Sequence, residues 1–145
     1  MKRGFCRFMA LLLCLSLCAV PALADDMVDY EADDIVWAST PIYDESQGQI
    51  TNLHLASASI DGWVIGYGET FSFNETVGKR TTDRGFKMAT AYSSGTVVED
   101  VGGGICQVST TLFNAAVKAD LQIVERHNHS LTVAYVDRGK DAAVN

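Results

Sequence analysis

The segment GGGICQVSTT, residues 102–111, places three consecutive glycines directly before a cysteine and the start of a helical pattern. Glycine adopts left-handed and crowded backbone conformations that other residues avoid, so the run predicts a tight turn. The apolar side chains that follow recur every three or four positions, which is typical of an amphipathic helix over residues 106–119. They are Ile105, Val108, Leu112, Ala115, Ala116 and Ala119. We therefore expect Cys106 to lie at or near a helix N-terminus.

A cysteine at a helix N-terminus is well placed to act as a nucleophile. The unsatisfied backbone N–H groups and the positive end of the helix dipole stabilise an anion there, and the anion of cysteine is the reactive thiolate. The amides from Gly104 to Cys106 could also form an oxyanion hole for a tetrahedral intermediate. Two alternatives remain open, namely a glycine turn that serves only packing and a buried thiol that is inert.

The first 24 residues have the pattern of a secretory signal peptide, with a basic start, an apolar run and a small-x-small cleavage site. These parts are Lys2, Arg3 and Arg7, then residues 8–20, then Ala22, Leu23 and Ala24. A membrane helix needs ~20 apolar residues, so this run is short for one. We expect an exported protein with no stable membrane span after signal cleavage, and a retained N-terminal anchor is the alternative.

Signal cleavage would leave Cys106 as the one cysteine of the exported chain. The other cysteines, Cys6, Cys14 and Cys18, all lie within the predicted signal. Cysteines in an oxidising compartment usually pair as disulfides. A single thiol has no partner in its own chain, so it is a candidate for a reactive or intermolecular group.

The charge and the spacing of polar residues exclude several classes of function. The net charge is −7, and signal cleavage removes basic but no acidic residues, so the surface should repel nucleic acid and anionic lipid. One cysteine and two close histidines fall short of the four regularly spaced ligands of a structural zinc site. The glycines lack the lysine and hydroxyl residue of a phosphate loop. We expect no metal, no cofactor and no nucleic-acid partner.

The remaining chain predicts an acidic leader or tether over residues 25–48 and one folded domain over residues 49–145. Apolar spacing predicts a first helix within residues 49–60. Strand patterns occur at residues 63–66 and 70–73, which would form a hairpin, and at residues 86–92, 95–98, 121–126 and 131–136. The expected fold class is α+β, with two main helices packed on a mainly antiparallel sheet and the nucleophile on the helix after the glycine-rich turn.

A cysteine nucleophile needs a base, which is usually a histidine oriented by a third group. His127 and His129 follow Cys106 at the start of a predicted strand, an arrangement found in papain-like enzymes. Arg80 and Arg84 lie in a basic loop of an otherwise acidic protein. This loop could be merely solvated, or one of its guanidinium groups could bind a substrate carboxylate.

Four motifs in this chain resemble those of the VanW family. They are GETFSFNETVG, RTTDRGF, GGGICQVSTTLFNAAVKADLQIVERHNHS and YVDRGKDAAV. The resemblance covers residues 50–144. Members of the family are exported bacterial proteins, so it implies a secreted or cell-wall-associated location. It also implies an L,D-transpeptidase, which uses a cysteine to make 3-3 cross-links between peptidoglycan stem peptides, the expected partner.

The resemblance also implies roles for individual residues. Cys106 is the implied nucleophile and His129 its histidine. Asp141 matches the aspartate of a glycine-x-aspartate-alanine motif and is the implied orienting group, with Glu125 and Asn128 as alternatives. The further implied site residues are Gly103, Gly104 and Gln107 at the oxyanion or turn position, and Arg80, Arg84 and Arg126 in substrate binding.

The implied mechanism is a two-step acyl transfer. The Cys106 thiolate attacks the carbonyl before the terminal D-alanine of a stem peptide, and a neighbouring amine then takes the acyl group; with water instead, the same site would act as a carboxypeptidase. The chain stops soon after the aspartate motif, which predicts a C-terminally truncated domain without wall-binding modules. The alternatives are a non-catalytic module that binds peptidoglycan or a glycopeptide, and a papain-like peptidase or amidase of wall peptides.

Overall fold

The glycine-rich turn joins a two-stranded sheet to the helix that begins at Cys106. The computed structural model describes residues 35–93 and 95–145, so the predicted signal peptide and residues 25–34 of the predicted leader lie outside the described residues. The elements are helix α1 (Gln47–Ile60), helix α2 (Phe73–Val77), strand β1 (Met88–Ser93), strand β2 (Thr96–Val101) and helix α3 (Cys106–Lys118), with a 3-10 turn at Thr82–Arg84. This is an α+β domain with two main helices, as predicted. Within the described residues, no helix is both long and apolar enough to cross a membrane.

Helix α1 forms where the apolar spacing predicts it, and it begins slightly earlier, at Gln47. Ser46 sets this start, because its side chain accepts a hydrogen bond from the Gln49 amide at 3.4 Å and so satisfies one of the free N–H groups of the first turn. The buried residues of the helix are Gln49, Asn52, Leu53 and Ala56. Two of these four residues are polar, so the buried side of the helix contacts polar groups as well as the hydrophobic core.

Strands β1 and β2 form an antiparallel hairpin, which confirms the strands predicted at residues 86–92 and 95–98. The register runs from Met88 opposite Val101 to Ser93 opposite Thr96. Beyond β2, the amide of Gly102 donates to Lys87 O at 3.0 Å and so continues the pairing into the glycine turn. The turn is therefore anchored to the sheet before helix α3 begins.

The hairpin predicted over residues 63–66 and 70–73 is wrong, since neither segment is a strand. Phe73 begins helix α2 instead, and the Ser72 side chain accepts a hydrogen bond from the Glu75 amide at 3.4 Å. A serine followed three residues later by a glutamate is the signature of a helix N-terminus. This local signal outweighed the alternation of Phe71 and Phe73, which was too short to specify a strand.

The strands predicted at residues 121–126 and 131–136 are also wrong, and the sheet of the described chain has two strands. Leu121 and Val124 are 53% and 70% exposed. These apolar side chains therefore do not pack against a neighbouring strand within the described residues. A strand is stabilised by its partners across the sheet. What remains of strand pairing here is one antiparallel bridge between His127 and Ala143.

The core lies between α1, α2 and the glycine turn. Its fully packed members are Ala56, Val77, Phe86 and Ile105. Asn52, on α1, is completely buried beside this core. Its side-chain nitrogen donates to Lys87 O and to Gly103 O, both at 2.9 Å, and its oxygen accepts from the Lys87 amide at 2.8 Å. One amide side chain thus joins α1, the start of β1 and the glycine turn.

Candidate active site

Cys106 is the first residue of helix α3, as the glycine run predicts. It is partly buried and unpaired. Its Sγ lies 3.5 Å from both the amide nitrogen and the carbonyl oxygen of Val144, so an extended backbone segment borders the thiol on one side. The thiol therefore lies neither on an open surface nor within a hydrocarbon core.

The backbone amides around Cys106 differ in their hydrogen bonding within the described residues. The amide of Gly103 donates to Asp100 O and that of Ile105 to Gly102 O. Within the described residues, no hydrogen bond is made by the amides of Gly104 and Cys106. Gly104 has a φ of 91°, a conformation that glycine adopts without strain. Two free donors at a helix N-terminus have the character required of an oxyanion hole.

His129 and Asp141 form a buried pair beside α3. His129 Nδ1 lies 2.7 Å from Asp141 Oδ2, and the His129 amide donates to the same oxygen at 2.6 Å. The imidazole is 3% exposed and the carboxylate 11% exposed. A carboxylate on Nδ1 favours the tautomer that carries its proton there, which leaves Nε2 as the acceptor.

The Nε2 atom of His129 is buried, and it has no hydrogen-bond partner of normal geometry in the described chain. The Cys106 thiol is nevertheless the group that contributes most to raising the pKa of the imidazole above its ordinary value. Burial acts in the opposite direction, and the Asp141 carboxylate adds to the increase. The thiol is thus close enough to the imidazole to affect its pKa, without a hydrogen bond of normal geometry to Nε2; long catalytic hydrogen bonds are common in active sites without substrate.

Asp141 stays ionised because hydrogen bonds lower the pKa of its carboxyl group by more than burial raises it. Burial raises the pKa of this carboxyl group, but the amide and imidazole of His129 lower it further, and the net shift is downward. Arg126 adds a second attachment, with Nη2 at 2.8 Å from Asp141 Oδ1 and Nε at 2.6 Å from the Asp141 carbonyl oxygen. Arg126, predicted to bind substrate, thus holds the orienting carboxylate.

The two alternative orienting groups contact other atoms. Glu125 Oε1 lies 2.7 Å from Nε2 of His127, and both side chains are largely exposed. Asn128 donates its side-chain amide to the backbone oxygen of His129 at 2.8 Å. Of the three candidates, Asp141 is therefore the one whose side chain reaches the His129 imidazole.

Helix α3 itself positions the segment that carries Asp141. Ser109 Oγ donates to Ala142 O at 2.6 Å, and the Ala142 amide donates to Thr110 Oγ1 at 2.9 Å. Both hydroxyl residues are buried. Serine and threonine one helical turn after the cysteine therefore fix the aspartate relative to the thiol. Sequence reasoning missed them, although three consecutive hydroxyl residues in an amphipathic helix were the available signal.

Gln107, predicted beside the glycines as an oxyanion or turn residue, makes a different contact. Its side-chain nitrogen donates to the Pro41 carbonyl at 2.7 Å and to Thr40 Oγ1 at 3.3 Å. Gln107 therefore attaches the extended segment before α1 to helix α3.

The arginines of the basic loop differ in their surroundings. Burial lowers the pKa of the Arg80 guanidinium, while the Cys106 thiol acts in the opposite direction, so these two groups are close enough to interact. Arg80 also donates to Asn145 O and to Asn74 Oδ1 at 2.7 Å. Arg84 donates to the carbonyls of Val77 and Lys79, where it satisfies the end of α2. Of the two arginines, Arg80 is therefore the one close to the Cys106 thiol.

Among residues 35–93 and 95–145, no group of three or more histidine, cysteine, aspartate or glutamate side chains is arranged to hold a metal ion. The groups brought together at the candidate site are the Cys106 thiol, the His129 imidazole, the Asp141 carboxylate and backbone amides. These groups are sufficient in kind for nucleophilic catalysis at a carbonyl carbon.

Two curated relatives match the chain in part. The uncharacterized protein YoaR of Bacillus subtilis is 51% identical over 94 residues, which cover 65% of this chain and 31% of that protein. The vancomycin B-type resistance protein VanW of Enterococcus faecalis is 35% identical over 88 residues, which cover 61% of this chain and 31% of that protein. The aligned part therefore spans less than a third of the length of either relative.

No solved structure matches the chain. A family model described as VanW like protein matches residues 48–145, which include every element of the domain from α1 onward. The match covers more than half of the chain, and this protein therefore belongs to the VanW family.

Proposed function

We propose that this protein is a cysteine acyltransferase of the cell wall that acts on peptidoglycan stem peptides in the manner of an L,D-transpeptidase. The observation that supports this most directly is the buried His129 imidazole, which is held on Nδ1 by Asp141 at 2.7 Å. Its Nε2 atom has no hydrogen-bond partner of normal geometry within the described residues, and the Cys106 thiol is close enough to raise the pKa of the ring. A base oriented by a third group is the arrangement that activates a thiol.

In the first proposed step, the Cys106 thiolate attacks the carbonyl carbon between an L-centre and the terminal D-alanine. The C–S bond forms, and the oxyanion of the tetrahedral intermediate is stabilised by the amides of Gly104 and Cys106. The intermediate collapses with cleavage of the C–N bond, and the His129 imidazolium gives its proton to the departing amine. D-alanine leaves, and the peptide remains as a thioester on Cys106.

In the second step, an amine of a neighbouring stem peptide attacks the thioester carbonyl. His129 accepts the proton of that amine, the C–N bond forms and the C–S bond breaks, which restores the thiolate and imidazolium pair. Water in place of the amine gives a shortened stem peptide and no cross-link. Arg80 is the proposed group for the carboxylate of the terminal D-alanine, because guanidinium binds carboxylates in a fixed geometry.

The proposed location is outside the cytoplasmic membrane, secreted or bound to the bacterial cell wall. The signal-peptide pattern of residues 1–24 supports export. The name of the Enterococcus faecalis relative, a vancomycin B-type resistance protein, connects that protein with resistance to an antibiotic. A role in the response of the wall to glycopeptides is accordingly part of the proposal for this chain.

The test is to incubate the purified chain with a disaccharide-tetrapeptide and to follow the products by mass spectrometry. We expect dimers that have lost one D-alanine, with none formed by Cys106→Ala or His129→Ala. His54→Ala is the matched control, because His54 is an exposed histidine on α1 and its loss should change nothing.

Other products would reassign the function. Monomers shortened by D-alanine would indicate a carboxypeptidase, and cleavage at another bond would indicate a peptidase or amidase. A folded protein that binds the muropeptide and converts none of it would overturn the enzyme proposal in favour of a binding module. Equal product yield from Cys106→Ala would also overturn it.

A further inference from the structure

Two tyrosines contact the His129 ring in addition to its polar partners. The Tyr92 ring, on β1, has its centroid 6.1 Å from that of the imidazole, with an angle of 85° between the planes. The Tyr135 ring lies at 6.4 Å with an angle of 83°. Both pairs have the perpendicular geometry that aromatic rings favour. The imidazole is thus in contact with rings from two different parts of the chain.

The polar contacts alone do not completely fix the orientation of the imidazole ring. The hydrogen bond from Nδ1 to Asp141 fixes one edge of the ring, but the ring can still tilt about the line from Nδ1 to Asp141 through small combined changes in its side-chain torsions. Such a tilt moves Nε2, which lies on the far side of the ring from Asp141 and has no normal hydrogen bond of its own within the described residues. Packing against rings perpendicular to the imidazole opposes this motion.

The Tyr135 hydroxyl does not account for the placement of this residue. Its oxygen is buried without a hydrogen bond of normal geometry in the described chain. Burial raises the pKa of the phenol, with the Thr110 side chain acting in the opposite direction, so the group stays protonated. A buried hydroxyl without a good partner costs stability. The contact of Tyr135 that bears directly on the imidazole is therefore the one made by its ring.

We infer that Tyr92 and Tyr135 are positioning residues that hold the His129 imidazole with Nε2 toward Cys106. The inference rests on the proposed function for its effect on turnover, but its effect on the reactivity of the thiol holds for any reaction of Cys106. Loss of either ring should let the imidazole tilt, weaken its pairing with the thiol and slow the reactions of Cys106 with electrophiles.

The experiment measures the rate at which iodoacetamide alkylates Cys106 in the full chain at neutral pH, together with the NMR titration of His129. We expect Tyr135→Leu and Tyr92→Leu to slow alkylation about tenfold or more, since small displacements of catalytic groups have effects of this order. The midpoint of the His129 titration should fall in both variants. Tyr135→Phe and Tyr92→Phe keep the ring and should react like the parent protein.

Tyr67→Leu is the matched control, because Tyr67 is fully exposed and its loss should leave both measurements unchanged. Thermal unfolding shows which variants are folded. If Tyr135→Leu does not fold, the outcome for Tyr92→Leu decides, since Tyr92 is 42% exposed on the hairpin and its replacement leaves the core intact.

The inference is overturned if folded leucine variants react at the parent rate, or if the phenylalanine variants lose as much as the leucine variants. The latter would assign the role to the hydroxyl groups. Failure of the proposed function has a different signature. In that case the protein converts no muropeptide, but Cys106 still reacts rapidly and its rate still depends on His129 and on both tyrosine rings. This result would contradict the transferase proposal and would support the positioning role of the two tyrosines.

Discussion

At the residue scale, the two carboxylate oxygens of Asp141 bind different partners. Oδ2 accepts from the amide and the imidazole of His129, while Oδ1 is held by Arg126. An ion pair on one side and two hydrogen bonds on the other leave the carboxylate little freedom, so the imidazole it orients is also restrained. Fixing a base through a second set of contacts is common where geometry controls rate.

Asp141→Asn tests this arrangement with little change in shape. Loss of the negative charge removes one of the groups that raise the pKa of His129, so the midpoint of the His129 titration should fall. Turnover of the muropeptide should drop by at least about 100-fold, the usual contribution of an oriented base. NMR titration and product yield measure the two effects.

The matched control for that substitution is Asp137→Asn. Asp137 is exposed and pairs with Lys140 at 3.0 Å on the surface, so its neutralisation should leave the His129 titration as it is. A His129 midpoint that is the same in Asp141→Asn and in the parent protein would contradict the assigned role of the carboxylate.

At the scale of elements, the glycine turn that precedes helix α3 lies directly against the backbone of strand β1. A Cβ atom on Gly103 would lie 2.1 Å from Ala89 O and 2.7 Å from Thr90 O. The backbone of the turn is therefore too close to the backbone of β1 for position 103 to carry any side chain. Asn52 then bonds to the Gly103 carbonyl from the other side. The position of the Cys106 thiol therefore follows from backbone contacts of the turn rather than from side-chain packing of α3.

Gly103→Ala should separate the turn from β1. Overpacking of this kind costs about 1–3 kcal/mol, and because the obstructing atoms are backbone, we expect the upper part of that range. Urea unfolding measures the loss, and alkylation of Cys106 should slow in the folded fraction because the helix N-terminus has moved.

Gly139→Ala serves as the comparison for that variant. Gly139 has a positive φ, but a Cβ atom added there would have no neighbouring atom within 4 Å. Its cost should therefore be limited to backbone strain of about 1–2 kcal/mol, with no change in thiol reactivity. Equal alkylation rates for Gly103→Ala and the parent protein would contradict the proposed role of the turn.

At the scale of the whole molecule, the His129 and Asp141 pair makes stability depend on pH. The pKa of His129 is raised above 6.5, so its contribution is complete below that pH and is lost as pH rises through the folded value. The pKa of Asp141 is lowered below 3.8, so its contribution is complete above that pH and is lost as pH falls through the folded value. Both contributions are complete between these two limits.

We therefore expect the free energy of unfolding to be greater at about pH 5 than at about pH 8 because of His129. Urea unfolding at the two pH values measures the difference, which should shrink in His129→Ala. His54→Ala should retain it, since His54 is an exposed histidine on α1 and lies outside the site. A difference of the same size in the two variants would show that another group is responsible.

Much of the fold and the key feature of the site could be predicted from the sequence because they depend on neighbouring residues. Helical spacing specifies α1 and α3, and the glycine run specifies that Cys106 begins α3. The strands β1 and β2 were also predicted, since they are joined by a tight turn. The hairpin predicted at residues 63–73 failed where a stronger local signal, the Ser72 cap, was overlooked.

Only the tertiary structure decided which group orients His129 and whether residues 121–136 form strands. Asp141 is 12 residues from His129, while Glu125 and Asn128 are closer in sequence. The bridge from His127 to Ala143 and the hydroxyls of α3 bring the more distant side chain into contact. Strand pairing likewise needs a neighbour that no local pattern specifies. The sequence by itself determined the helix that carries the thiol, and contacts between distant segments determined the groups around it, because hydrogen-bond partners depend on position in space.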